Sequence, residues 1–180
     1  MNGKWLETSF AWLMLDGHRG EYDPRFLSKL NINRIVEQCV TSGAKVVTIM
    51  GKDISGYAWY NTKIGLKYPG LGDLDYVGEM TKRLHEKNIK VMILFLTLAD
   101  KRLWIRHPDW RQVDAEGKTR QDYFVEQQKK WPGTARWMKF HMVCPNSPAR
   151  QEIIKQVKEV TANYNIDGIW FDMYDFTTYC

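Results

Sequence analysis

The sequence predicts an α/β fold built on a parallel sheet. Three observations predict it. Four short apolar runs alternate with three stretches of helical periodicity, giving the order βαβαβαβ. Each apolar run closes on an acid: Asp16 after the first, Asp53 shortly after the second, Asp100 after the third and Asp172 at the tip of the fourth. Two of the connections are much longer than a crossover requires, and both follow the C-terminal ends of strands. In a barrel of βα units, catalytic groups sit at those C-terminal ends. Polar chemistry is therefore concentrated on one face of the expected sheet.

The elements follow in order. Strands are expected over about 11–16, 45–50, 90–98 and 168–173, and helices over about 31–42, 73–88 and 148–164. The first helix carries Ile32, Ile35, Val36, Cys39 and Val40 at helical spacing, and Ser42-Gly43 is its stop signal. In the second, Leu74, Val77, Met80 and Leu84 form the buried stripe. Asp73 is its expected N-cap, and Lys87-Asn88 closes it with a cation and a residue that tolerates the left-handed cap. The third begins at Asn146-Ser147-Pro148, with Pro tolerated in the first turn, and buries Ile153, Ile154, Val157 and Val160.

With 180 residues and 44% hydrophobic content, the chain can bury one core, and a single domain is expected. The net charge of +5 does not suggest nucleic acid, because 26 basic residues are interleaved with 21 acids and form no long block. Cys39, Cys144 and Cys180 are odd in number and lack CxxC spacing. Neither a zinc site nor a disulfide framework is expected, and the thiols read as free and mostly buried. No run approaches the roughly 18 apolar residues of a membrane span. The first ten residues lack the apolar region of a secretory leader, so a cytoplasmic location is the default expectation. No cofactor is implied.

The long connections are rich in aromatics. The first, 51–72, holds Tyr57, Trp59, Tyr60 and Tyr68; the second, 99–146, holds Trp104, Trp110, Tyr123, Trp131 and Trp137. Such rings suit the apolar C–H face of a sugar, with nearby Asp, His, Asn and Lys for its hydroxyls, and they serve equally to pin long loops to a core. Asp172 stands out among the acids. It follows a buried run directly, is flanked by aromatics such as Trp170 and has no turn signal beside it, whereas any single strand-end Asp is commonly a turn residue or N-cap.

Gly43-Ala44-Lys45-Val46-Val47-Thr48-Ile49-Met50-Gly51-Lys52-Asp53, with Gly56-Tyr57-Ala58-Trp59-Tyr60-Asn61-Thr62-Lys63, resembles the second-strand region of family 29 α-L-fucosidases. Asp75-Tyr76-Val77-Gly78-Glu79 and Lys90-Val91-Met92-Ile93-Leu94-Phe95 resemble the next helix and strand of that family. Ile166-Asp167-Gly168-Ile169-Trp170-Phe171-Asp172 is similar to its fourth strand, whose terminal Asp is the nucleophile of a retaining glycosidase. The chain departs where fucosidases carry a His-His pair, here Lys52-Asp53, and a His-Trp-Gly strand end, here Leu15-Asp16-Gly17-His18. Together with Cys144-Pro145-Asn146-Ser147-Pro148, this pattern is closer to the hypothetical glycosyl hydrolase 6 group of the same barrel superfamily.

The resemblance implies the N-terminal half of a (β/α)8 barrel, because a whole one needs eight strands and about 250 residues. It implies a carbohydrate substrate, Asp172 as nucleophile, and an acid/base from later sequence. By analogy of position, Asp16, His18, Lys52 and Asp53 line the mouth and bind the sugar, with Tyr57, Trp59 and Trp170 as further candidate contacts. Other readings stand beside these: Asp16 caps the turn Gly17-His18-Arg19-Gly20, Lys52 pairs with Asp53 or another acid, and Asp16, His18 and Asp172 hold a metal. Asp175 is a weaker second carboxylate, and His107 and His141 lie in the long loop. A half barrel also leaves two strand edges for the missing half or a second copy. The alternative function is a noncatalytic carbohydrate-binding or degenerate barrel fragment.

Overall fold

The computed structural model describes residues 4–18, 23–133 and 140–174. The elements are α1 (Trp5–Thr8), β1 (Trp12–Met14), α2 (Ile32–Thr41), β2 (Val46–Lys52), β3 (Tyr57–Ala58), β4 (Leu66–Lys67), α3 (Tyr76–His85), β5 (Lys90–Leu96), α4 (Lys101–Arg106), α5 (Arg120–Lys130), α6 (Ala149–Asn163) and β6 (Gly168–Asp172). The expected strands and crossover helices are all present. Six strands form one sheet flanked by helices, the arrangement of a partial (β/α) barrel.

Its centre is parallel. β1 pairs with β2, β2 with β5 and β5 with β6, in register Met14↔Thr48, Thr48↔Met92 and Met92↔Gly168. Val47, Ile49, Val91 and Ile93 are fully buried in the core that α2, α3 and α6 help to build with Val36, Cys39, Val77, Met80, Leu84 and Val160. The other face of the sheet is concave. Trp12 on β1 donates from Nε1 to Thr48 Oγ1 on β2 (2.7 Å) and meets Trp170 on β6 edge-to-face, with centroids 5.9 Å apart. Three strand spacings separate β1 from β6, about 14 Å in a flat sheet. Inward-pointing rings meet across that span because the sheet curls.

Helix ends follow local chemistry, with one correction. Asn31 caps α2 through Arg34 N–H, and Gly43 leaves it at φ 73°. Asn88 takes the left-handed position after α3, at φ 58°. The N-cap of α3 is Asp75, not Asp73: its carboxylate accepts Gly78 N–H and also the Tyr164 hydroxyl, so a tertiary bond to the end of α6 selects between two nearby acids.

The long connections carry structure of their own. Two-residue β3 runs antiparallel to the end of β2, and β4 pairs with β3. Glu159 on α6 accepts from Thr62 Oγ1 and Lys63 N–H, and Tyr60 and Tyr68 are fully buried, so the first connection is pinned down. The second contains α4 and α5 and is tied back by bridges Ala99↔Met142 and Arg111↔Val143. The cysteines need a further correction. Cys39 is free and buried, but Cys144 is disulfide-bonded; Cys180 lies outside the described residues. Pairing that depends on folding leaves no spacing signature. Among the described residues, no helix is long and apolar enough to cross a membrane.

Candidate active site

Curling brings the C-terminal ends of β1 and β6 together. Asp172, the last residue of β6, has a side chain 39% exposed. Its Oδ1 accepts the N–H of Met173 at 2.8 Å, while Oδ2 lies 3.9 Å from His18 Nε2. The other imidazole nitrogen, Nδ1, contacts Asp16 Oδ1, which also accepts the His18 backbone N–H at 2.8 Å. A carboxylate, an imidazole and a second carboxylate thus run in line across the mouth. Asp16 caps its turn, since the bond to His18 N–H is an Asx-type turn, and its contact to Nδ1 also orients the imidazole ring.

The loop carrying His18 rests on aromatics. A Cβ on Gly17 would overlap the six-membered ring of Trp59, so only glycine lets this loop lie against the indole. Trp59 is buried among Phe26, Tyr68 and Tyr76, and its Nε1 donates to Asp53 Oδ2 at 3.2 Å. Asp53 Oδ1 accepts from Ser55 and Tyr57 N–H. Burial pushes the Asp53 carboxyl up, against the lowering effect of Tyr57 N–H, Trp59, Ser55 and Lys52. Asp53 and Trp59 therefore brace the β2–β3 turn beneath the mouth.

Lys52 is wholly buried. Its ammonium meets Asp100 at 2.9 Å, with side-chain exposures of 0% and 1%, and donates to Leu96 O at 3.1 Å. Asp100 also caps α4 by accepting Leu103 N–H, and Gly56 at φ 86° sits against its carboxylate. Lys52 does pair with an acid, but with Asp100 in the interior rather than at the surface. Tyr57 lies under the Arg102 guanidinium, 5.2 Å from its ring centre. Trp170, 44% exposed, is two residues before Asp172 on the concave face.

In the second connection, His107 stacks on Trp110 at 3.7 Å and Arg111 lies 3.6 Å over Trp104. His141 packs against the edge of Trp104 at 4.7 Å; burial, then Lys101 and Arg111, lower its pKa to about 4. Asp175, Arg19, Gly20 and Trp137 lie outside the described residues. Among the described residues no cluster of three or more His, Cys, Asp or Glu is arranged to hold a metal ion. Sequence reasoning named Lys52 and its pairing with an acid but missed that the partner is Asp100, that the pair is buried and that Thr97 lies beside it. The pair's signal was a lysine at the end of a strand that is otherwise apolar but for Thr48.

Comparison with known proteins bears on the family and the fold. The family model described as hypothetical glycosyl hydrolase 6 matches residues 31–173. Among solved structures, α-L-fucosidase isoenzyme 2 from Paenibacillus thiaminolyticus superposes with a TM-score of 0.78 at 24% identity, over 96% of this chain and 24% of that one. A hypothetical protein from Ruminiclostridium thermocellum gives 0.59 at 19% identity, over 92% and 76%. An α-L-fucosidase from Lactobacillus casei, in complex with α-L-fucose product, gives 0.60 at 18% identity, over 94% and 60%. This chain spans about a quarter of the first of these. At such identities the likeness is one of fold, and the fold is glycoside-hydrolase-like. No curated protein matches the sequence.

Proposed function

The chain belongs to the hypothetical glycosyl hydrolase 6 family, and from that premise we propose that it is the nucleophile-bearing part of a retaining, α-L-fucosidase-like glycoside hydrolase. The observation that carries the reading is Asp172 itself. Its carboxylate stands at a strand tip, with one oxygen held by the backbone and the other turned toward His18 and the open mouth.

A retaining reaction needs an ionised carboxylate to attack the anomeric carbon and form a glycosyl-enzyme ester. The leaving oxygen is protonated by a second carboxyl group about 5–5.5 Å away, which water then uses as base. Asp172 Oδ2 supplies the nucleophile, and the acid/base comes from sequence beyond these residues. His18, oriented by Asp16, binds a sugar hydroxyl beside the reacting carbon. Trp170 offers an apolar face, while Lys52, Asp53, Tyr57 and Trp59 hold the strand tips and turns beneath the sugar rather than touching it.

The test is hydrolysis of a panel of aryl glycosides, α-L-fucoside and β-galactoside among them, by the protein at its natural length, with and without Asp172→Ala. Turnover of one glycoside that falls by several orders of magnitude in the variant is the expected result. Binding of a sugar without turnover would instead indicate a carbohydrate-binding protein. Turnover indifferent to Asp172 would place the chemistry elsewhere.

A further inference from the structure

The tip of β6 is unusual in its backbone. Met173, directly after Asp172, has φ 53°, a left-handed conformation that is costly for a residue with a Cβ and carries no glycine here. In an ordinary strand, consecutive carbonyls point to opposite sides. Here both Asp172 O and Met173 O turn to the end of β5, accepting the N–H groups of Thr97 (2.9 Å) and Leu98 (3.0 Å). The Thr97 hydroxyl lies between them, 2.8 Å from Asp172 O and 3.0 Å from Met173 O, sharing its one proton between two acceptors. Holding Asp172 O on that side fixes the plane of the Asp172–Met173 peptide, and the N–H of the same peptide is donated to Asp172 Oδ1.

Thr97 is fixed from the other side as well. The Lys52 ammonium reaches Leu96 O at 3.1 Å and Thr97 O at 3.5 Å, while it is paired with Asp100. A buried ionic anchor on β2 therefore holds the β5 tip, and the β5 tip holds the β6 tip. A valine of the same shape at 97 would keep the packing and the Thr97 N–H bond but lose the hydroxyl that converges on both carbonyls.

We propose that Thr97 is the positioning residue for Asp172: its hydroxyl, set against the Asp172 and Met173 carbonyls, fixes the Asp172–Met173 peptide, whose N–H ties Asp172 Oδ1 to the chain and leaves Oδ2 facing His18. Its consequence for catalysis rests on the reading of Asp172 as a nucleophile; its consequence for geometry does not. A carboxylate with one oxygen immobilised attacks from a single orientation, and misplacement by about 1 Å costs on the order of a hundredfold in rate.

Crystal structures of Thr97→Val and Thr97→Ser, with kinetics on whichever glycoside the wild type cleaves, test this. The valine variant is expected to release Met173 from the left-handed region and lose the Asp172 Oδ1 to Met173 N–H bond, with serine retaining both. Its kcat is expected to fall about 10- to 100-fold with KM little changed, and serine is expected to restore it. If Thr97→Val does not fold, Thr97→Ala is read in the same way. A valine variant with Met173 still left-handed and Asp172 in place overturns the proposal whether or not any glycoside is cleaved. So does a displaced Asp172 with unchanged kcat. A wild type that cleaves no glycoside defeats the functional reading alone, because the structures still decide the role of the hydroxyl.

Discussion

At the scale of single residues, four strand-end aspartates of similar sequence context have four different environments. Asp53 is consumed by a turn and an indole, Asp100 by a helix cap and a lysine, Asp16 by a turn and an imidazole, and Asp172 keeps one oxygen for the mouth. The chain shows the acids plainly but not their partners, because Trp59 and Lys52 reach them only after folding. His141 yields a prediction at this scale. Burial first, then Lys101 and Arg111, lower its pKa from 6.5 to about 4. A base depressed in the folded state takes up more protons when unfolded, so its contribution to stability is complete above pH 6.5 and is lost as pH falls from there to about 4. Asp53 opposes this, because its raised carboxyl pKa favours the folded state as acid is added. Comparing wild type with His141→Gln cancels that effect. Urea midpoints across this range should drop more steeply in wild type than in the variant; parallel curves would show that the half-buried His141 is not held neutral by its surroundings.

At the scale of elements, the strands and crossover helices were legible because the βα unit writes itself in periodicity. Val46 to Met50 is a run broken only by Thr48, β-branched like its neighbours, and buried throughout as in a strand covered on both faces, and α2 repeats its apolar residues at helical spacing. The two-residue strands β3 and β4 were not legible, since so short a pairing has no period and depends on where the end of β2 lies. Nor was the linkage of β2, β5 and α4 through Lys52 and Asp100. That linkage has a testable size. Removing one partner of a buried pair leaves the other charged and unsolvated, typically at a cost of about 3–5 kcal/mol. Lys52→Met should therefore lose about that much in urea unfolding, a large part of the roughly 5–15 kcal/mol that holds a domain. Adding Asp100→Asn should recover most of it, because Asn remains a good N-cap for α4. A loss under about 1 kcal/mol for Lys52→Met would show that the ammonium is solvated, as exposed pairs are.

At the scale of the whole molecule, the curl of the sheet explains both the site and the open edges beside it. Concavity is what carries His18 from the β1 edge to within reach of Asp172 on the β6 edge, although two strands stand between them. The same curl leaves Trp12 40%, Met14 39% and Trp170 44% exposed on the concave face, and Phe171 45% exposed on the opposite face of β6. Among the described residues nothing pairs with the outer edges of β1 and β6. Unpaired parallel edges bearing large apolar side chains recruit further strands, whether from a longer chain or from a second copy. The 180-residue chain in isolation is therefore expected to self-associate, with a mass in multi-angle light scattering that rises over a concentration series. Phe171→Lys places a charge on that edge, pointing away from the Trp12–Trp170 contact, and should shift the population toward monomer without altering the circular dichroism of the fold. Wild type that stays monomeric throughout the series would mean that the edges are protected within the chain itself, and a barrel completed by additional strands would lose its main physical motive.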